Sequence, residues 1–157
     1  ESEFKDILES FVSAWPSAGQ HEKVLLLTHH WLDALACWSL EDLYLSVSTL
    51  LQIIAETEKG RLNNSNLSYY QAVDRAALRM GIAQLSPDFK DMRNVLIHEG
   101  KLLGGSFGGT NKRDCEAVVI EVLNWFDEYL HKALGLGAVR KIRFGPGDLS
   151  NVNAYSI

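Results

Sequence analysis

Apolar residues recur at intervals of three and four along nearly the whole chain, and this pattern most constrains its fold. Such spacing lines one face of a 3.6-residue helix; a half-buried strand would alternate instead. Residues 2–14 place Phe4, Ile7, Leu8, Phe11 and Val12 in this way, and Pro16, Ser17 and Gly19 are expected to end that helix. From Glu22 to Trp38 the residues Val24 to Leu27, Trp31, Leu32, Leu35 and Trp38 nearly encircle the axis, which predicts the central helix. Leu40 to Glu58 repeats the pattern through Leu43, Val47, Leu50, Leu51 and Ile54, with Gly60 as a stop. Arg61 to Asn66 reads as a loop, and a further helix runs from Ser68 to Met80, closed by Gly81.

Ser86-Pro87-Asp88 supplies an N-cap, a proline for the first helical position and a first-turn acid, so a helix is predicted over Asp88–Glu99 before Gly100. Gly104 to Asn111, with four glycines, reads as a flexible loop. The last helix is predicted over Arg113–Leu134, where Val118, Val119, Val122, Leu123, Phe126 and Leu130 face inward. Val139 to Phe144 reads as a short strand before Gly145-Pro146-Gly147 breaks the chain. The expectation is an all-α bundle of five or six helices over residues 1–137, with an irregular or β-like tail over 138–157.

With 157 residues the chain can bury the core of one domain. No apolar run approaches the roughly 18 residues of a membrane span, and Glu1 to Asp6 shows no signal-peptide pattern. The absence of an initiator Met reads as the mark of a piece of a longer protein. Cys37 and Cys115 lie far apart and outside any CxxC, which favours free thiols and a cytoplasmic setting over a disulfide framework or zinc site. A net charge of −5 argues against a general nucleic-acid coat and leaves room for a local basic groove.

The candidate site lies on the predicted helix 88–99. At about 100° per residue, Phe89, Met92 and Leu96 share the inward face, while Lys90, Arg93, Asn94, Ile97, His98 and Lys101 spread over an arc of about 140° outside it. Asn94 and His98 are four apart and therefore neighbours. A phosphate over this stripe could meet Lys90, the Asn94 amide and the His98 imidazole, with Arg93 reaching in. RNA carries its own nucleophile, the 2′-hydroxyl, so cleavage needs no metal-bound water. It needs a group that moves a proton near neutral pH, which His98 supplies, and a cation for the charge on the phosphorane, which Arg93 supplies. Products would be a 2′,3′-cyclic phosphate and a 5′-hydroxyl. One histidine serves both proton transfers poorly, which favours a homodimer with a second copy.

The run Asp91-Met92-Arg93-Asn94-Val95-Leu96-Ile97-His98-Glu99-Gly100-Lys101-Leu102 resembles the R-x(4–6)-H signature of the HEPN superfamily, especially ApeA-like HEPN domains. Val122 to Leu130 is similar to that family's final helix, and by helix order the resemblance covers most of residues 20–135. It implies a HEPN-type bundle, a dimer pairing two motifs in one cleft, and metal-independent ribonuclease activity in defence or toxin settings. The expected site is thus Arg93, Asn94 and His98, with Lys90 and Lys101 binding single-stranded RNA and neither metal nor cofactor. Some members are non-catalytic modules for dimerisation, nucleotide binding or protein interaction, which is the alternative reading.

Other residues have plainer readings. His29 and His30 point about 100° apart on a helix, unlike the i,i+4 pair of a zinc site. Trp31, Trp38, Trp125 and Tyr129 read as core or interface. The glycines of 104–109 lack GxxxxGK[ST] and a preceding strand, so they are no P-loop. Glu56 is a weak candidate to support the site, since family counterparts of its helix often carry a glutamate. Arg61, Arg79, Lys112 and Arg113 either extend a basic groove or are solvated charges.

Overall fold

A computed structural model describes residues 2–100, 102, 112–149, 151 and 152. Among these the chain forms six helices and no strand: α1 (Ser2–His21), α2 (Val24–Ala34), α3 (Leu40–Leu62), α4 (Tyr69–Met80), α5 (Asp88–Glu99) and α6 (Lys112–Ala133). The all-α expectation holds. The glycine-rich stretch 104–109 and Lys101 lie outside the described residues.

The central helix is α3, not the predicted 22–38 segment. Leu40, Leu43, Tyr44, Val47, Leu50, Leu51, Ile54 and Ala55 are buried along α3, which packs against α2, α4, α5 and α6. Helix α2 is shorter than expected because Lys23 takes a left-handed conformation at its start and the chain turns after Ala34. It buries one stripe, Val24, Leu27, Trp31 and Ala34, and leaves Leu25 and Leu32 more than 60 % exposed. An apolar girdle in sequence is therefore not a buried girdle in space.

Helix α1 overruns its predicted stop. Proline fixes a φ compatible with helix, and its cost there, one lost hydrogen bond and the crowding of its ring on the preceding turn, is one that packing can offset. Here Phe11 and Trp15 pack with ring centroids 5.2 Å apart, and Ala18 is buried two residues after Pro16. Its predicted apolar face is formed but not covered: Phe4, Leu8 and Val12 are exposed, and Ala18 is its one buried residue among the described side chains. Helix α3 likewise passes Gly60 and ends at Leu62, where Asn63 supplies the left-handed cap.

Helix α4 starts with a capping box, Ser68 accepting from the Gln71 N–H while the Gln71 side chain accepts from the Ser68 N–H. Helix α5 has its predicted bounds but not its predicted cap. Pro87 occupies the cap position, and Ser86 turns to α6, where its N–H and hydroxyl each donate to Glu121 at 2.7 Å. On α6, Val119, Val122, Leu123, Phe126 and Tyr129 are buried.

No strand forms over 139–144; the segment is an irregular strap laid along α6. At its end Phe144 is held by Asn124, whose amide donates to the Phe144 carbonyl at 2.8 Å and whose carbonyl accepts from the Phe144 N–H at 3.0 Å, so both backbone groups of Phe144 are satisfied by a side chain of α6. Beyond it, Glu116 accepts from the backbone of Gly147 and Leu149, and the Leu149 side chain is buried. Residues 138–149 thus pack into the same unit as the helices.

Candidate functional site

The orientation of α5 is set from beneath. Phe89, Met92 and Leu96 are buried, as their spacing requires. The Phe89 ring lies 5.8 Å from both Tyr69 and Tyr70 of α4, edge-on to the first and stacked on the second. The Tyr44 hydroxyl of α3 donates to the Phe89 carbonyl. That carbonyl belongs to the first turn of α5, so the contact locks the helix both in rotation and along its axis.

With this face down, Lys90, Arg93, Asn94, Ile97 and His98 lie on the outer side. Arg93 is half-buried, and its guanidinium carbon sits 5.0 Å above the Tyr69 ring. A guanidinium over an aromatic face keeps its N–H fork at the edge, free for an anion. Lys90 takes the equivalent place one turn earlier, 5.8 Å over the Tyr70 ring and 3.7 Å from the Asp91 carboxylate. Asn94, Ile97 and His98 are exposed. Burial raises the Tyr69 phenol above its ordinary value, and the positive charge of Arg93 partly opposes that shift. Its hydroxyl oxygen is buried without a hydrogen-bond partner among the described residues.

Not all candidates converge. Asn94 and His98 are neighbours one turn apart, but Arg93 leans to α4 while His98 leaves the helix about 140° further round. Glu56 is engaged elsewhere, accepting from Gln52 and Lys59 at 2.8 Å; the Lys59 contact leads the causes that lower its carboxyl. Arg61 and Arg79 are neither a groove nor solvated charges. Arg79 grips both Glu22 oxygens at 3.0 Å and the Glu58 carboxylate at 2.9 Å, and Arg61 binds Glu22. The side chains of Lys112 and Arg113 lie outside those described.

His29 and His30 stack at 5.9 Å, with the His29 Nδ1 3.9 Å from Asp33. No group of three or more His, Cys, Asp and Glu able to hold a metal occurs among the described residues. Trp31, Trp125 and Tyr129 are core, whereas Trp38 is 81 % exposed. Cys115 is buried and donates to the Leu102 carbonyl at 3.4 Å; burial first, then Asp114 and Glu41, push its thiol up to about 11, which makes it structural rather than reactive.

Sequence reasoning missed Tyr69 and Tyr70, the aromatic floor beneath Arg93 and Lys90. The Ser68–Gln71 capping box fixes them in the first turn of α4, but nothing in the sequence brings that turn to α5. No family model matches the chain, and no curated protein or solved structure matches it.

Proposed function

We propose that the protein is a metal-independent endoribonuclease of the HEPN type, acting on single-stranded RNA as a cytoplasmic homodimer in a defence or toxin setting. The observation that carries this reading is the outer face of α5, where Asn94 and His98 are open to solvent and Arg93 is held over Tyr69. One His98 takes the proton of the 2′-hydroxyl, whose oxygen attacks the adjacent phosphorus. Arg93 and the Asn94 amide meet the charge gathering on the non-bridging oxygens. The P–O5′ bond breaks, and the leaving oxygen takes a proton from the partner's His98, giving a 2′,3′-cyclic phosphate and a 5′-hydroxyl. Lys90 and Lys101 bind flanking phosphates. The divergence of Arg93 and His98 on one helix favours a site completed by two chains.

The uncovered apolar residues of α1 and α2 favour a second reading, a non-catalytic HEPN module that docks a partner. Cleavage separates the two. RNA and the same strand with one deoxyribose at the cut site are incubated in EDTA with wild type and His98→Ala. The ribonuclease reading expects wild type alone to cut, and only the all-ribose strand. Cutting at the deoxy position, or strict dependence on added divalent metal, rules this mechanism out.

A further inference from the structure

The strap 138–144 takes no part in the α5 site. It is built onto α6 by the paired Asn124–Phe144 hydrogen bonds and onto α2 by the Phe144 ring, which meets the buried Trp31 edge-on at 6.3 Å. Between strap, α6 and the N-terminal part of α1 lies an open cleft of about 630 Å³. That is within the range of roughly 300–1,000 Å³ common for small-ligand sites.

The cleft has one cationic and one apolar wall. Arg140, Lys141 and Arg143 fall within four residues of the strap and all line it, while Asp127 is its one acidic lining residue among the described residues. Arg140 is turned to Glu3 at the α1 edge. Arg143 is positioned from two sides: one terminal nitrogen lies 3.3 Å from the Asp127 carboxylate, and the guanidinium carbon lies 5.8 Å from the Phe144 ring. Its remaining N–H groups are left for a ligand. Lys141 is exposed.

His131, one turn beyond Asp127, also lines the cleft. Its Nδ1 lies 2.8 Å from the Asp127 backbone carbonyl, which only accepts, so Nδ1 carries the proton and donates. That bond fixes the ring and leaves Nε2 for a ligand. Ile7, Val139 and Ile142 supply apolar surface, and Ile142 is 72 % exposed.

The cations Lys141 and Arg143 suit a phosphate, the oriented imidazole nitrogen accepts from a sugar hydroxyl or base N–H, and the adjoining aliphatic wall suits a flat, weakly polar body. The geometry points to a second site, independent of α5, that binds a nucleoside phosphate: the phosphate at Lys141 and Arg143, a sugar hydroxyl or base N–H on the His131 Nε2, and the base against Ile7, Val139 and Ile142. The unit is either a free nucleotide or one nucleotide of a single strand, and the chemistry is the same.

Isothermal titration calorimetry of the intact chain tests this with three probes: adenosine 5′-monophosphate, a short all-deoxy oligonucleotide that 2′-hydroxyl chemistry cannot consume, and inorganic phosphate. Saturable binding of either nucleotide probe is expected, with Lys141→Glu weakening it about tenfold or more at unchanged melting temperature. Arg143→Gln should weaken it similarly, and Lys59→Gln on α3 should not. Binding of the mononucleotide identifies a free ligand, and binding of the oligonucleotide alone identifies a strand. The proposal is overturned if neither nucleotide saturates below about 1 mM. It is equally overturned if Lys141→Glu binds as wild type, or if inorganic phosphate binds as tightly as the nucleotide. Because the α5 residues are unchanged in every protein compared, binding at that face is common to all of them, and the loss in Lys141→Glu and Arg143→Gln against wild type reports the strap site alone.

Discussion

At the scale of single residues, two buried oxygens without hydrogen-bond partners among the described residues are liabilities of the same kind. The Tyr69 ring carries Arg93 and packs on Phe89, but its buried hydroxyl has no hydrogen-bond partner among the described residues. An unsatisfied buried hydroxyl is a liability of about 1 kcal/mol or more, so Tyr69→Phe should leave stability unchanged or raise it by up to about that amount. Tyr69→Leu should instead lower it, having lost the ring. Urea unfolding ranks the two, and a Phe variant less stable than the Leu variant would contradict this account. Asp74 carries the second oxygen: its Oδ1 is buried without a hydrogen bond among the described residues, and burial raises its carboxyl above the ordinary value. A raised carboxyl pKa means the fold holds the proton more tightly than the unfolded chain does, so the ionised group destabilises. The penalty grows as pH rises from the unfolded value, near 3.9, and is complete above the folded one. Asp74→Ala should therefore melt higher than wild type at pH 7 and lose that advantage at pH 3. A variant equally or less stable at pH 7 would refute the assignment. The α5 stripe was legible because helical periodicity is local, while the Tyr69 floor was not, because the two helices meet only in the folded core.

At the scale of elements, the sequence announced where helices exist better than where they end or how deep they lie. Gly81 and Gly100 are left-handed caps, as expected, whereas Pro16 and Gly60 are passed, so the helices run on despite the local cost of both residues. Depth failed for α2 because periodicity reports which faces are apolar, not how many neighbours arrive to cover them. Gly135 and Gly137 make a matched test of what a glycine does at the end of α6. Both have positive φ, 72° and 80°, so alanine at either pays the left-handed penalty of roughly 1–2 kcal/mol. A Cβ on Gly137 meets nothing within 4 Å, but one on Gly135 would lie 2.7 Å from the Ala14 Cβ and 3.2 Å from the Ser10 carbonyl oxygen of α1. Gly135→Ala must therefore also push α1 off the end of α6. It should cost clearly more than Gly137→Ala, by about 1 kcal/mol or more. Thermal melts of the pair decide it, and equal losses would mean that α1 is not closely seated on that turn.

At the scale of the whole molecule, one polar cluster ties together parts of the chain that the apolar core only lays side by side. Glu22 follows α1, Glu58 and Arg61 come from α3, Arg79 from α4 and Tyr129 from α6. The Tyr129 hydroxyl donates to Glu22 at 2.7 Å, and burial followed by the Glu22 charge raises its phenol above the ordinary value. The side chains of Glu22 and Glu58 are only 6 % and 3 % exposed, so both carboxylates have left water and depend on the two guanidiniums. No spacing rule joins residues 22, 58, 79 and 129, and in sequence these arginines read as surface charge. Removing one partner of a buried pair leaves the other charge uncompensated, at about 3–5 kcal/mol. Arg79 keeps 27 % of its side chain in water, so Arg79→Met is expected near the lower end, about 3 kcal/mol. That is a large part of the roughly 5–15 kcal/mol that holds such a domain folded. If the loss is a stranded carboxylate rather than missing bulk, Glu22→Gln should cost less in the Arg79→Met background than in wild type. Chemical unfolding of the four proteins in this cycle reads the difference directly. Additive losses, or an Arg79→Met variant within about 0.5 kcal/mol of wild type, would show that the cluster decorates the bundle rather than joins it.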